Sequence, residues 1–152
     1  MEVYIFREGN HEISTDRSRL DIGVVHGFLT TSYWAECIPR EIVERSIAHS
    51  LCFGAYGASG QVGFARVISD YATYAYIADV FVLESARGHG IGKLLMRAIM
   101  SHPDLQGLRR WSLLTRDAHG LYRQSGFTEP RHPGRYMELS NPDIYQKAVT
   151  AP

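Results

Sequence analysis

A glycine-rich turn at residues 87–93 has the composition of an anion-binding site. It follows an apolar run, residues 76–83, that predicts a strand, and it precedes residues 94–100, whose apolar spacing predicts a helix. Glycine accepts positive φ, and the free N–H groups of a first helical turn point outward at the positive end of the helix dipole. The sequence therefore predicts that a ligand carrying phosphates binds here.

Two common phosphate loops do not fit this turn. A P-loop requires Gly six residues before Lys93 and Ser or Thr after it, but those positions hold Arg87 and Leu94. The dinucleotide fingerprint requires the spacing Gly-x-Gly-x-x-Gly, whereas the glycines here are evenly spaced and no second βαβ unit surrounds them. Both nucleotide-binding interpretations are therefore disfavoured.

The turn instead resembles the acyl-CoA loop of the GNAT superfamily of N-acetyltransferases. The pattern of that loop, Arg/Gln-x-x-Gly-x-Gly/Ala, is met by Arg87, Gly90 and Gly92. A second block, residues 118–127, resembles the late Ala-x-x-Leu-Tyr-x-x-x-Gly-Phe segment of the family, a short helix that passes through Gly into a strand. Two independent matches in the order of the family make the resemblance much more specific than one.

The resemblance implies acetyl-CoA as co-substrate and no metal. In the family the amides of the turn bind the CoA pyrophosphate, and by motif alignment the pantetheine arm and acetyl group run along the core strand. The chain departs from the family pattern at Thr115, where many members have Asn, and at Glu84, where many have Pro. The implied cofactor-binding residues are Val80, Val82, Arg87, Gly88, His89, Gly90, Ile91, Gly92 and Lys93.

Attack of an amine on a thioester needs a neutral nucleophile, a donor for the developing oxyanion and a proton for the departing thiolate. The resemblance places Tyr122 near the thioester sulfur, where the tyrosine of the family is often assigned as general acid. A phenol with a reference pKa of ~10 stays protonated at neutral pH, so it can donate. The oxyanion donor in the family is a backbone amide that a bulge in the core strand leaves free. His119 is a second candidate acid or base, against the simpler interpretation of a surface histidine.

Asp79 is the only carboxylate inside the apolar run of the predicted core strand. Because an unpaired buried carboxylate is costly, this side chain should face a polar pocket or a paired cation. One hypothesis is that Asp79 accepts the proton of the amine, directly or through water, or binds the substrate ammonium group. The alternative is a salt bridge or a capped turn with a structural role only.

Four aromatic residues are candidates for binding the acceptor substrate: Tyr33, Trp34, Tyr71 and Tyr76. In the family the early helices and their connection form the acceptor pocket. Aromatic rings hold alkylammonium groups by cation–π contacts worth about 0.5 to 2 kcal/mol each. The alternative is that these rings only pack between sheet and helix. We expect a small-molecule primary amine as the acceptor.

Sixteen basic and sixteen acidic residues give the 152-residue chain a formal net charge of zero. No overall field therefore favours nucleic acid or an anionic membrane as a partner. No apolar run is long enough for a membrane span and the first residues lack a signal-peptide pattern, so a cytoplasmic location is the default expectation. Length and composition predict one globular domain. The resemblance implies that this is an N-acetyltransferase domain at residues 1–140, followed by a C-terminal tail at residues 141–152.

The predicted fold is a single mixed α/β domain, with a mostly antiparallel central sheet flanked by helices. Two early helices, the second with Pro39 in its first turn, follow a polar loop at residues 9–18. A further helix follows the glycine turn, and a short helix and a closing hairpin end the domain. The expected strands lie at residues 3–6, 51–56, 61–68, 76–83 and 111–115.

Two other functions remain open from the sequence. A non-catalytic acyl-CoA sensor would use the glycine turn, while Tyr122 and Asp79 only pack. A partner-binding domain would use its exposed aromatic residues to dock another protein, including a second copy of the chain in a homodimer.

Overall fold

The computed structural model describes residues 1–146, which build one six-stranded sheet whose strands follow chain order. Neighbouring strands are antiparallel from the first to the fifth. The fifth and sixth are parallel, because a helix crosses over between them. The strands are β1 (Ile5–Glu8), β2 (His11–Ser14), β3 (Leu51–Gly57), β4 (Gly60–Ser69), β5 (Tyr74–Val82) and β6 (Arg110–Leu113). The helices are α1 (Ile22–Leu29), α2 (Arg40–Ala48), α3 (Ile91–Ser101) and α4 (His119–Arg123).

Helices cover both faces of the sheet, as the predicted mixed α/β fold requires. On one face α3 packs against a cluster that we call the α3-side core, which includes Phe53, Val67 and Leu95. On the other face α1 and α2 pack against a second cluster, the α1/α2-side core, which includes Val25 and Phe64. Each strand of the centre therefore presents apolar residues in both directions, and β5 lies between the two cores.

The prediction of a loop at residues 9–18 is wrong, because this segment contains β2. Gly9 has a φ of 58° and turns the chain back, so that β2 pairs with β1. Ile13 and Ser14 are buried, while Glu12 forms ion pairs with two arginines. Only one apolar side chain in four marks this strand, which hides the alternation that identifies strands in a sequence.

The two early helices lie where the sequence predicts them. Asp21 precedes α1 and accepts a hydrogen bond from the Val24 amide, which satisfies a free donor of the first turn. Pro39 stands immediately before α2, where its fixed φ suits the start of a helix. The connection between them, residues 30–39, carries the aromatic pair predicted to bind substrate.

The predicted closing hairpin is also wrong for the part of the chain that the structure describes. β6 ends at Leu113, two residues before the predicted end at residue 115, and no strand follows it up to residue 146. Pro130 and Pro133 lie in the segment that would have to pair with β6, and proline cannot donate a hydrogen bond to a sheet. β6 is therefore an edge strand within residues 1–146.

The predicted tail begins with residues that contact the domain, since Tyr145 packs against the α1/α2-side core. Its last part, residues 147–152, lies outside the described residues. Among the helices of residues 1–146, none combines the length and apolar character needed to cross a membrane.

One buried histidine is expected to make the stability of the fold depend on pH. His102 is 1% exposed, and its Nδ1 accepts a hydrogen bond from the Asp104 amide at 3.1 Å. The rings of Tyr4 and Phe53 pack against it, and its Nε2 has no hydrogen-bond partner within residues 1–146. Burial lowers the pKa of His102, which keeps the imidazole neutral in the folded protein.

We expect the free energy of unfolding to decrease as the pH falls below about 6.5, because the unfolded chain then binds a proton that the folded protein resists. The variant His102→Asn keeps a capping acceptor but does not titrate, so its melting temperature should change less between pH 7.5 and pH 5. His49→Gln, at an exposed helix end, is the control and should keep the wild-type pH dependence. Equal pH dependence in all three proteins would contradict this role of His102.

Candidate active site

The two parallel strands of the sheet separate at the middle of β5. Pairing runs from Tyr74 opposite Arg110 to Ile77 opposite Leu113, and β6 then ends while β5 continues to Val82. Within residues 1–146, the backbone of residues 78–82 therefore has no strand beside it on the β6 side. Its N–H and C=O groups on that side can receive an extended ligand in the place of a strand.

A β-bulge in β5 lies at the start of this crevice. The register with β4 changes between Phe64 and Arg66, so that Asp79 and Val80 together stand opposite the single residue Ala65. Asp79 has a φ of 55°, a conformation that aspartate tolerates better than most residues. A bulge leaves a residue of the ladder unpaired. The structure thus contains the bulge in the core strand that the family resemblance implies.

The bulge also changes which face of the sheet each side chain meets. Ala75 and Ile77 belong to the α3-side core, and Val80 and Val82 pack against that same core. The extra residue shifts the alternation by one position, and Phe81 consequently joins the α1/α2-side core. The sequence-predicted residues Val80 and Val82 therefore flank the crevice on the α3 side.

Asp79 forms an ion pair beside the bulge. The Nε of Arg66 donates to Oδ2 of Asp79 at 2.8 Å, and the indole Nε1 of Trp34 donates to Oδ1 at 3.0 Å. Nη1 of the same arginine donates to the Ser50 hydroxyl at 3.1 Å. The side chains of the ion pair are only 16% and 10% exposed. Asp79 therefore forms the salt bridge that the sequence left open as an alternative, and both of its carboxylate oxygens already accept a hydrogen bond.

The glycine turn follows β5 almost directly. Gly88 and Gly90 have φ values of 84° and 76°, and a Cβ at either position would meet no atom within 4 Å. Glycine is therefore required there by the backbone conformation and not by lack of space. Nε of Arg87 donates to the carbonyl oxygen of Val82 at 3.2 Å, which fastens the turn to the end of the strand.

Gly90 is the cap residue of α3, and no side chain among the described residues caps this helix. The first-turn N–H groups of Ile91, Gly92 and Lys93 are therefore available to an anion at the positive end of the helix. His89 is exposed, and its ring centroid lies 6.4 Å from that of His11. The predicted cofactor-binding residues thus form one continuous stretch of backbone from the bulge to the helix.

Tyr122 is placed by the packing of α4 on α3. A Cβ added at Gly92 would lie 3.6 Å from the side chain of Leu121, which shows how closely the two helices approach. Tyr122 is 8% exposed and belongs to the α3-side core, together with the valines of β5. Burial, with smaller contributions from Tyr33 and Asp117, raises the pKa of Tyr122 to about 12.

The aromatic connection between α1 and α2 bridges the two sides of the crevice. Trp34 reaches the bulge through its hydrogen bond to Asp79, and the Tyr33 hydroxyl accepts from the Arg116 amide at 3.1 Å. The Arg116 guanidinium lies 3.8 Å from the centre of the Tyr33 ring. Tyr33 and Trp34 are 46% and 41% exposed, so their rings still present free surface to a ligand.

The other two predicted substrate residues lie in different places. Tyr76 lines a groove of about 670 Å³ whose wall also includes Tyr122, Thr115 and the exposed His119. Tyr71 lies in the turn before β5, beyond the end of the strand that is farther from the bulge. The structure brings Tyr76 to the site and does not bring Tyr71 there.

Arg66 and Ser50 were missed at the level of sequence. Arg66 interrupts the apolar stretch of β4 as Asp79 interrupts that of β5, and two opposite charges in adjacent buried strands are a recognisable signal. Thr115, where many family members have Asn, accepts a hydrogen bond from the Ala118 amide at 3.0 Å and so supports the start of α4.

Sequence comparison agrees with this geometry. The profile of the family described as "Acetyltransferase (GNAT) domain" matches residues 48–129, which include the bulge, the glycine turn and Tyr122. The chain belongs to the GNAT acetyltransferase family. Members of this family use acetyl-CoA.

Solved and curated GNAT relatives cover most of the chain. The crystal structure of a GNAT-family protein from Xanthomonas campestris pv. campestris is 56% identical, covers 90% of this chain and 97% of its own, and has a TM-score of 0.88. A Gibberella zeae protein that is named as an acetyltransferase is 29% identical to this chain. The alignment covers 75% of this chain and 76% of that protein. A Clostridium acetobutylicum protein with acetyl-CoA in its crystal structure is 14% identical and shares the fold, with a TM-score of 0.62 over 86% of this chain and 95% of its own.

Replacing Gly90 with Ala should weaken coenzyme binding about tenfold to a hundredfold, because the change of φ displaces amides that serve as hydrogen-bond donors. Isothermal titration calorimetry with CoA measures the dissociation constant. Gly107→Ala is the matched control, since Gly107 has a φ of 75° and equally open surroundings. Both variants should lose similar stability, and equal CoA affinities of the two variants would contradict the assignment.

Replacing Arg66 with Met should lower the free energy of unfolding by about 3–5 kcal/mol, because it leaves a buried carboxylate without its cation. The double variant Arg66→Met/Asp79→Asn should regain much of this loss, as the unpaired charge is removed and the side-chain acceptor for Trp34 is kept. Urea denaturation measures the free energy of unfolding of the single and the double variant.

Arg123→Met provides the control for the ion pair, since the pair of Arg123 with Glu129 is exposed to solvent and its loss should leave the free energy of unfolding nearly unchanged. A double variant that is no more stable than Arg66→Met would show that charge burial is not the source of the effect.

Proposed function

We propose that this protein transfers the acetyl group of acetyl-CoA to a primary amine of a small molecule, by direct attack of the amine on the thioester. The observation that carries the proposal is the continuity of the site. The bulge, the unpaired edge of residues 78–82 and the uncapped start of α3 lie along one stretch of backbone, with Tyr122 in the same apolar core.

The residues of this stretch fit a coenzyme that ends in a pyrophosphate. The open surroundings of Gly88 and Gly90 leave room for phosphate oxygens, and the free amides of α3 supply donors of the correct polarity. Lys93 lies in the same helical turn and adds a positive charge. The unpaired edge of β5 can hydrogen-bond the amides of an extended arm, much as a strand would.

Tyr122 is the proposed general acid. Its pKa of about 12 keeps the phenol protonated throughout the physiological range, so it can donate a proton to the leaving sulfur. The Tyr122 ring packs in the α3-side core, and the residue also lines the groove beside β6 from which a substrate can approach. Acetyl-CoA supplies the activated acyl group, and the protein supplies orientation, backbone donors at the bulge and this proton.

Asp79 remains a proposed catalytic residue with two candidate roles. In one role it accepts the proton of the amine, for which one of its hydrogen bonds, to Arg66 or Trp34, must open. In the other it orients the substrate by holding Trp34 across the crevice. The arrangement of donors favours orientation, because both oxygens are already engaged and Arg66 lies in direct contact.

The acceptor is proposed to enter between the aromatic connection and the groove at β6. Tyr33 and Trp34 present half-exposed rings on one side, and Tyr76 lies on the other. Such rings suit an alkylamine or a small amine with an aromatic group. The groove volume of about 670 Å³ is that of a small-molecule site.

Tyr122→Phe should lower kcat by about a hundredfold or more while leaving the CoA dissociation constant unchanged, because only the proton donor is removed. A screen of pooled amines with acetyl-CoA, read as released thiol, first identifies the acceptor, and steady-state kinetics then compare the proteins. Tyr56→Phe is the control, since the Tyr56 hydroxyl is also buried but lies away from the site and has no hydrogen-bond partner among the described residues.

The alternative function, a non-catalytic acyl-CoA sensor, predicts CoA binding without released thiol for any amine. In the wild-type enzyme the high pKa of Tyr122 also predicts no decline of kcat between pH 8 and pH 10. A decline in that interval that disappears in Tyr122→Phe would contradict the assigned pKa.

A further inference from the structure

The aromatic connection between α1 and α2 holds an arginine on the β6 side of the crevice. The Arg116 guanidinium lies 3.8 Å from the centre of the Tyr33 ring, and the Arg116 amide donates to the Tyr33 hydroxyl at 3.1 Å. The backbone and the side chain of Arg116 therefore contact the same tyrosine. A guanidinium that stacks on a ring still directs the N–H groups of its edge outward, where they can bind an anion.

The guanidinium of Arg116 has free hydrogen-bond donors. Within residues 1–146 it donates no hydrogen bond, and its ion-pair partner is Asp117, whose Oδ2 lies 3.7 Å from Nη2. That distance is too long for a hydrogen bond. The two side chains are 63% and 67% exposed, and ion pairs in such positions are weak. A carboxylate from solution can therefore bind Arg116 without breaking a hydrogen bond of the protein.

The opposite end of the aromatic connection has no free charge of this kind. There Asp79 accepts hydrogen bonds from Arg66 and Trp34 through both of its oxygens. The Trp34 and Tyr33 rings are in edge-to-face contact, with their centroids 5.0 Å apart. The two rings thus join a fully hydrogen-bonded ion pair at the bulge to an arginine with free donors beyond β6.

Arg116 lies near the proposed general acid. It directly follows Thr115, which lines the groove together with Tyr122. Burial raises the pKa of Tyr122, and the nearby Tyr33 and Asp117 raise it further. Because Tyr33 contacts Arg116 and Asp117 adjoins it, the free donors of Arg116 belong to the surroundings of the proposed acid. A small molecule held by this arginine can place its amine at the thioester.

We propose that Arg116 binds a carboxylate of the acceptor, so that the substrate is an amino acid or another small amine that carries a carboxylate. A guanidinium binds a carboxylate through two parallel N–H···O bonds, which fixes the orientation of the bound molecule. The half-exposed rings of Tyr33 and Trp34 then contact its side chain. The role of the amine rests on the proposed acetyl transfer, whereas the carboxylate site is testable by binding alone.

Isothermal titration calorimetry of the protein saturated with CoA tests the site without turnover. The ligands are the common amino acids, each paired with its carboxamide, which has nearly the same shape but no negative charge. For the amino acids that bind, the wild-type protein should favour the carboxylate form by about tenfold to a hundredfold. Arg116→Gln should lose this preference. Arg116→Lys should keep part of it, because the charge remains and the planar fork is lost.

Arg110→Gln is the matched control, since Arg110 is also exposed and lies over a tyrosine ring, that of Tyr136, but stands at the other end of β6. It should keep the wild-type preference. Arg116→Gln should also keep the wild-type dissociation constant for CoA alone, and circular dichroism establishes that each variant is folded.

Three results would overturn the proposal. The first is a wild-type protein that binds no amino acid more tightly than its carboxamide, and the second is a preference that persists in Arg116→Gln. The third is a loss of CoA affinity in Arg116→Gln, which would assign this arginine to the coenzyme.

The same ligand pairs, assayed with acetyl-CoA for released thiol, separate this inference from the proposed function. A carboxylate preference in binding without released thiol from any ligand would support the site at Arg116 and contradict acetyl transfer. Release of thiol with equal KM for amino acids and carboxamides would support acetyl transfer and contradict the site.

Discussion

The ion pair between Arg66 and Asp79 holds an extra residue in the middle of β5, and the site depends on that residue. A bulge costs ladder hydrogen bonds and places Asp79 at positive φ, so it persists only where surrounding contacts determine it. The carboxylate receives donors from β4 and from the aromatic connection, which fixes the bulge from two directions. The same contacts set the shape of the crevice and place Trp34 above it.

The apolar packing and the chemistry of the site share the same residues. By shifting the side-chain alternation of β5, the bulge directs Val80 and Val82 towards α3 and Phe81 towards the opposite core. The core that receives the valines also buries Tyr122, and this burial keeps its phenol protonated. A single change of register therefore positions the coenzyme edge and the proposed acid relative to each other.

Short motifs were readable from the sequence because their chemistry is local. The glycine turn needs positive φ at Gly88 and Gly90 next to the start of a helix. The spacing of the glycines is enough to indicate this conformation. Tyr122 was identified by resemblance to a family segment. In contrast, β2 has too few apolar residues to be recognised as a strand. The predicted closing hairpin is absent from residues 1–146, where the prolines after α4 disfavour pairing with β6.

The sequence by itself determined the mixed α/β fold, the family, the anion-binding turn and the position of most strands and helices, since these follow from periodicity and spacing over a few residues. Only the tertiary structure decided that Asp79 is paired with Arg66, that Trp34 reaches the bulge and that Tyr71 lies away from the site. It also decided that β6 is an edge strand in the part of the chain that the structure describes. The physical reason is that each of these depends on register and on contacts between residues far apart in the chain, and a one-residue shift of register changes the face on which every following side chain lies.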